Sequence, residues 1–214
     1  PWTKEPRRPS WPLARINGGA QPSIQKHSGQ RRKTEPKNRF FIYPAHPFVY
    51  KNHILLLEAV RLIKVRYPAS FYKIKILLTL ERDSCSNLYA VASELGVSQA
   101  FVFTGQLEYS KLLGIFSSSN CALLFPSTIE TIGLPLIEAA SFGCPVVTVD
   151  LPYAREALAE YPGVKFLSTN DAEQWADTIA LLLSKKDGFP KFQPPNRPGW
   201  REFFKFIYAI SKFR

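Results

Sequence analysis

The chain has 214 residues, 45% of them hydrophobic and 21% charged, with a formal net charge of +11. That length suits one domain, or one domain with tails, and the apolar share is enough to fill a core. No run approaches the roughly 18 apolar residues of a membrane span, and the basic, Pro-rich start has no signal-peptide pattern.

The charge is unevenly placed. Residues 1–39 hold ten Lys and Arg against two Glu, and residues 185–214 hold eight against two acids. The stretch between carries ten bases and thirteen acids, so the basicity sits in the flanks. Basic flanks are either solvated tails or contacts for an anionic neighbour: a membrane surface, a nucleic acid or a polyanionic acceptor. The core shows no aromatic-basic module for nucleic acid, which is therefore a disfavoured partner. Cys85, Cys121 and Cys144 are odd in number and without metal or disulfide spacing, so reduced, buried thiols in a cytoplasmic protein are expected. The chain opens on Pro1 and contains no Met, which leads us to expect a reading frame that begins upstream.

Three regions follow. Residues 1–38, with six Pro and the Gly18-Gly19 pair, read as a basic, disordered lead or linker. Residues 39–187 read as an α/β domain, and 188–214 as a Pro-rich break with a final aromatic helix. Within the domain, a strand over 40–43 runs into Pro44, and Asn52 is placed to cap a helix carrying Leu55, Leu56, Ala59, Val60 and Ile63 on one face. A strand over 72–80 and a helix over 87–95, stopped by Gly96, come next. Strand 101–103 ends at Thr104-Gly105, and helix 108–116 leads to a charge-free strand, 121–125. Helix 134–142 is closed by Gly143. Strand 145–149, helix 153–160 and strand 164–167 complete the alternation. Asn170 and Glu173 have the spacing of a capping box for a helix with Trp175, Ile179 and Leu182 on one face. Trp200, Phe203, Phe204, Ile207 and Ile210 form a stripe on the final helix, read either as packing or as a membrane-surface face.

Strict alternation of short apolar strands with helices predicts a doubly wound parallel sheet, covered on both faces. Such sheets bind ligands beyond the carboxyl ends of their strands. Function is therefore sought at 44–52, 104–108, 126–134 and 150–153. In the third of these, Gly133 permits close backbone approach, and the amides near Ile132 to Leu134 open a helix and suit a phosphate. Glu130 stands before them and Glu138 one turn inside the helix. Carboxylates beside a phosphate would repel it, so sugar or ribose hydroxyls are their natural targets.

Pro126-Ser127, Glu130, Gly133, Glu138-Ala139, Gly143-Cys144-Pro145-Val146-Val147 and Arg155-Glu156 together resemble the retaining glycosyltransferases of family 4. Specifically, they resemble the second, nucleotide-sugar-binding Rossmann-like domain of that two-domain GT-B fold. The strand 40–43 with Pro44-Ala45, then Lys51-Asn52-His53, then Phe103-Thr104-Gly105 fall in the family's order, and the resemblance covers 39–184 and the last helix. It implies that Glu130 contacts the donor sugar's hydroxyls and Glu138 the nucleotide ribose. Ile132, Gly133 and Leu134 would cradle the distal phosphate and sugar, Lys51 would neutralise the leaving diphosphate, and Leu107, after Gly105, would line the base pocket. No metal or other cofactor is implied.

Two positions depart from the family. His46 stands where an Arg is usual, and offers a weaker, pH-dependent cation or a plain loop residue. Thr79-Leu80-Glu81-Arg82-Asp83 stands where a Gly-rich turn is usual. His53, in the first turn of its helix, is expected to be structural. The family also implies an acceptor-binding N-terminal domain, in cis or in trans, and a cleft between the two. The partners implied are a nucleoside diphosphate sugar and a hydroxyl acceptor: a sugar, a lipid-linked sugar or a polysaccharide. By resemblance alone the pathway is bacterial surface polysaccharide synthesis, in the cytoplasm or at the inner face of its membrane. A non-catalytic or split subunit completed by a partner chain is the alternative.

Overall fold

A computed structural model of the chain describes residues 39–158, 160–184 and 188–193. The lead over 1–38 and the aromatic helix expected over 199–213 lie outside them. Six strands form one sheet: β1 (Phe40–Tyr43), β2 (Ile76–Leu78), β3 (Phe101–Phe103), β4 (Cys121–Phe125), β5 (Val146–Val149) and β6 (Val164–Leu167). The order across the sheet is β3-β2-β1-β4-β5-β6, and every pair is parallel. This is the doubly wound α/β architecture expected from the alternation. Ile42 sits at its centre, in register with Leu77 on one side and Leu123 on the other.

The connections are helical: α1 (His53–Arg66), α2 (Pro68–Phe71), α3 (Ser86–Glu94), α4 (Tyr109–Phe116), α5 (Leu134–Ser141), α6 (Pro152–Leu158) and α7 (Ala172–Ser184). α1 packs against α3 and α7, while α5 packs against α4 and α6, giving a layer of helices on each face. Both faces of β4 and β5 are therefore buried at every residue, which is why they read as unbroken apolar runs. Trp175 anchors α7 to this core, fully buried, with its Nε1 donating to Ser168 O at 2.9 Å.

Several local expectations are corrected. β2 covers only Ile76–Leu78, because Pro68 opens the extra turn α2 and the chain then rises to the sheet through Tyr72–Ile74. Asn52 occupies the N-cap of α1 but does not cap it with its side chain. It adopts the left-handed conformation (φ 54°), and its Nδ2 donates instead to Thr169 O at 2.9 Å, tying α1 to the loop after β6. α7 is capped by Asp171, whose Oδ1 accepts from the Gln174 amide at 3.0 Å, so the capping pair at Asn170 and Glu173 does not form. Glu173 pairs with Arg66, and Asn170 accepts from Ser168. Beyond α7, Phe189 and Phe192 return to the body, their amides donating to Gly143 O and Ala140 O.

The chain turns opposite ways after β1 and β4. Parallel sheets of this order open a crevice there, between the loops that leave the two central strands.

Candidate functional site

The two loops at the crevice are stitched together by hydrogen bonds. Tyr50 O, in the loop after β1, accepts from the Thr128 amide at 2.7 Å and from Thr128 Oγ1 at 3.0 Å, in the loop after β4. Tyr43, at the end of β1, is fully buried and donates its hydroxyl to Lys51 O at 2.6 Å. Burial, with the Glu130 charge nearby, pushes the Tyr43 phenol well above its ordinary range, so it stays a donor. From the far side, Tyr153 Oη donates to Ser127 O at 2.7 Å, its own ionisation likewise suppressed by burial.

This framework sets Lys51 against Glu130. Their side chains are 13% and 16% exposed, and Lys51 Nζ donates to Glu130 Oε1 at 2.5 Å. Residues 79 apart in sequence thus meet across the switch point. Next to Glu130, Gly133 takes φ +71° at the N-cap of α5, and Leu136 N donates back to Gly133 O. A side chain at 133 would press on Leu136 and on the Tyr153 ring. Pro135 follows in the first turn, where it costs no hydrogen bond. Pro135 has no amide hydrogen and Leu136 N is engaged by Gly133 O, so what the start of α5 offers the crevice is the Leu134 amide and the partial positive charge of a helix N-terminus. Ile132 and Leu134 flank that opening with 46% and 58% of their surfaces exposed.

Glu138 is half-buried one turn into α5, and its Oε1 accepts from Tyr109 Oη at 3.0 Å. That hydrogen bond raises the Tyr109 phenol above its ordinary range. Tyr109 opens a groove of about 450 Å³ with Gln106, Leu107 and Glu108. Gln106 and Leu107 also line an adjoining cavity of about 280 Å³ with Ala45, His46 and Glu81. Gly105 lies buried beneath, at φ +68°, with the Glu81 carboxylate in the space a side chain there would take.

The structure therefore brings Lys51 together with Glu130, beside Gly133 and the start of α5. It sets Glu138 with Tyr109, and places His46, Leu107 and Gly105 around the adjoining cavity. His46 is exposed, with its ring 5.8 Å from that of Phe48. His53 is buried, tilted against Tyr43 at 4.8 Å between ring centroids, as its structural reading expects. Sequence reasoning missed Tyr43, Tyr109, Tyr153 and Glu81. The three hydroxyl contacts join residues 8, 29 and 26 apart. Only the placement of each tyrosine at a strand end or helix start hinted at them. Among the described residues, no three His, Cys, Asp or Glu side chains gather as a metal site would require, and no helix is long and apolar enough to cross a membrane.

Known proteins are similar to this chain in sequence or in fold. A D-inositol 3-phosphate glycosyltransferase of Corynebacterium urealyticum is 33% identical over 142 residues, covering 63% of this chain and 32% of that protein. The catalytic domain of cholesterol-alpha-glucosyltransferase from Helicobacter pylori has a TM-score of 0.55 at 21% identity, covering 81% of this chain and 96% of that one. HepE of Anabaena, solved in complex with UDP and glucose, has a TM-score of 0.58 at 17% identity, covering 70% of this chain and 40% of that one. At such identities both structural likenesses show the fold. The chain spans between 30% and 40% of the length of three curated relatives that it matches. Residues 25–194 match the glycosyl transferases group 1 family. That match takes in every strand of the sheet and both loops of the crevice, and the chain belongs to the glycosyl transferases group 1 family.

Proposed function

We propose that this chain is the donor-binding domain of a retaining glycosyltransferase, which moves a sugar from a nucleoside diphosphate sugar to a hydroxyl. The observation that carries the reading is the Lys51–Glu130 pair, held over the switch point beside the N-terminus of α5. The diphosphate lies along that helix start. As the bond from the anomeric carbon to the phosphate oxygen breaks, Lys51, the Leu134 amide and the positive end of the α5 dipole stabilise the negative charge on the leaving group. No bound metal is required for that step. Glu130 releases Lys51 and takes hydroxyls of the donor sugar, fixing its orientation. Glu138 exchanges the Tyr109 hydroxyl for those of the ribose, and the base lies beyond, towards Leu107. His46 reaches the diphosphate from the cavity side when protonated. The acceptor hydroxyl attacks the same face of the sugar that the diphosphate leaves, giving its proton to the departing phosphate oxygen, and the configuration is kept.

The acceptor is held by a separate domain, in cis or in trans. The 32% share of its relative's length that this chain covers supports that division. Transfer then depends on the second domain, while donor binding does not. Family resemblance supports an acceptor used in bacterial surface polysaccharide synthesis, at the cytoplasmic side of the membrane.

Calorimetric titration of the chain with UDP, GDP and ADP tests the reading. Saturable binding of one nucleotide is expected, weakened at least about tenfold by Lys51→Ala and by Glu138→Ala, each of which removes a charge-assisted contact. A folded chain that binds none of them does not have this function.

A further inference from the structure

Glu81 lies in the loop after β2, beyond Thr79 and Leu80, and lines the 280 Å³ cavity together with Ser84, Gln106 and Leu107. Its backbone carbonyl is engaged, accepting from Ser84 Oγ at 2.9 Å and from Cys85 Sγ at 3.0 Å. Its carboxylate makes no hydrogen bond or ion pair with any described residue. The group nevertheless has a defined place. It rests against Gly105, where a Cβ would overlap Oε1 and approach Cδ to 2.9 Å. Gly105 thus does two things: it makes the left-handed turn after β3 and leaves room for the Glu81 carboxylate.

Glu81 is an exposed residue on the cavity wall, so water solvates its carboxylate, and a ligand that displaces this water must bring donors of its own. The carboxylate repels a diphosphate, so it does not serve that end of the donor. The ribose hydroxyls already have Glu138, reached from the groove that Leu107 and Tyr109 share. The base remains, and the four bases differ in what they show a carboxylate. Guanine carries N1–H and the 2-amino group side by side, two donors matched to the two oxygens of one carboxylate. In uracil the N3–H lies between two carbonyl oxygens, which meet a carboxylate with like partial charge. Adenine and cytosine each set one amino group beside an acceptor nitrogen. The remaining lining suits a purine as well. Ala45, Leu107 and Leu112, all half-buried, offer apolar surface to the ring faces, and the Gln106 amide can donate to O6.

We infer that, within the donor site proposed above and resting on that reading, Glu81 selects the nucleobase and the base is guanine. The donor is then a guanosine diphosphate sugar. Glu81 stands where the resemblance expects a Gly-rich turn, so the specificity is carried by a departure from the family pattern rather than by its shared motif.

The test is titration of the full chain, wild type and Glu81→Gln, with GDP, IDP, UDP and ADP, with circular dichroism to verify folding. GDP is expected to bind best to the wild type. IDP, which lacks only the 2-amino group, is expected to bind about tenfold more weakly. Glu81→Gln should lower GDP affinity roughly tenfold to a hundredfold, and by much more than it lowers UDP or ADP affinity. Tighter binding of UDP or ADP than of GDP, or equal binding of GDP and IDP, overturns the assignment while leaving the donor site standing. An equal loss for all four nucleotides in Glu81→Gln moves the carboxylate to the ribose and overturns it too. Failure of the folded wild-type chain to bind any nucleotide refutes the donor site itself, and the base assignment with it.

Discussion

Lys51 and Glu130 pair with each other, and this has a measurable consequence. In the proposed mechanism each has a different target, the diphosphate for Lys51 and the sugar hydroxyls for Glu130. A free nucleoside diphosphate has no sugar, so it gains nothing from Glu130 and must draw Lys51 away from it. Glu130→Gln removes both the competitor and a like charge beside the phosphates. It should strengthen binding of the free diphosphate by about twofold to fivefold, the scale of a partly exposed ion pair. The same substitution should slow transfer from the nucleotide sugar, since the donor sugar loses its orienting carboxylate. A fall in diphosphate affinity in Glu130→Gln, measured calorimetrically, would argue against the exchange of partners. The places of Glu130 before α5 and of Glu138 within it were legible in the sequence, from the helix pattern and the family resemblance together, since two Glu eight apart say nothing alone. Tyr109 and Tyr153 were not. Their partners Glu138 and Ser127 lie 29 and 26 residues away, across loops that only the folded sheet brings together, and no local spacing records such contacts.

At the level of elements, the alternation of apolar runs was enough to give the sheet, because burial on both faces erases the two-residue period and leaves β4 and β5 uniformly apolar. It failed where local and tertiary demands compete. Asn52 has a good capping side chain, yet that side chain is spent on Thr169 O, and the tie between α1 and the last loop wins over the cap. Asp171 displaced Asn170 by one residue, within the usual uncertainty of helix ends. The start of α5 depends most on a single residue. Gly133 has φ +71°, and a Cβ there would sit 3.0 Å from Leu136 Cδ1 and 3.3 Å from the Tyr153 ring, both packed in place. Gly133→Ala should therefore destabilise the fold by about 1–2 kcal/mol, from the left-handed conformation and the contact together. It should weaken nucleotide binding by more than its loss of stability explains, because the first turn of α5 must shift. Chemical denaturation beside calorimetry separates the two. Full stability with unchanged affinity in Gly133→Ala would show that the turn is not needed in this conformation.

Across the whole molecule, the site is built over a buried base that the fold keeps neutral. His53 is 6% exposed beneath the crevice, beside the Tyr43 ring, and its Nε2 has no hydrogen-bond partner among the described residues. Burial lowers its pKa from 6.5 to about 4, and the Lys51 charge adds to the effect. The unfolded chain restores an ordinary imidazole, so between these values the unfolded state binds more protons than the folded one. Stability therefore rises with pH across that window. The contribution is fully present above about pH 6.5 and is lost progressively as pH falls through about 4, amounting to about 3 kcal/mol. For a domain of this size that corresponds to a fall of about 6–12 °C in the melting temperature between neutral pH and pH 4. Carboxylates add their own acid sensitivity, so the informative quantity is the difference between the wild type and His53→Phe, which keeps a ring beside Tyr43 but cannot be protonated. His53→Phe should show a flatter dependence of melting temperature on pH from 6.5 to 4, whatever its stability at neutral pH. Parallel curves for the two proteins would mean that His53 keeps an ordinary pKa in the fold. The crevice would then be wetter beneath Lys51 than the packing around Tyr43 and Phe125 requires.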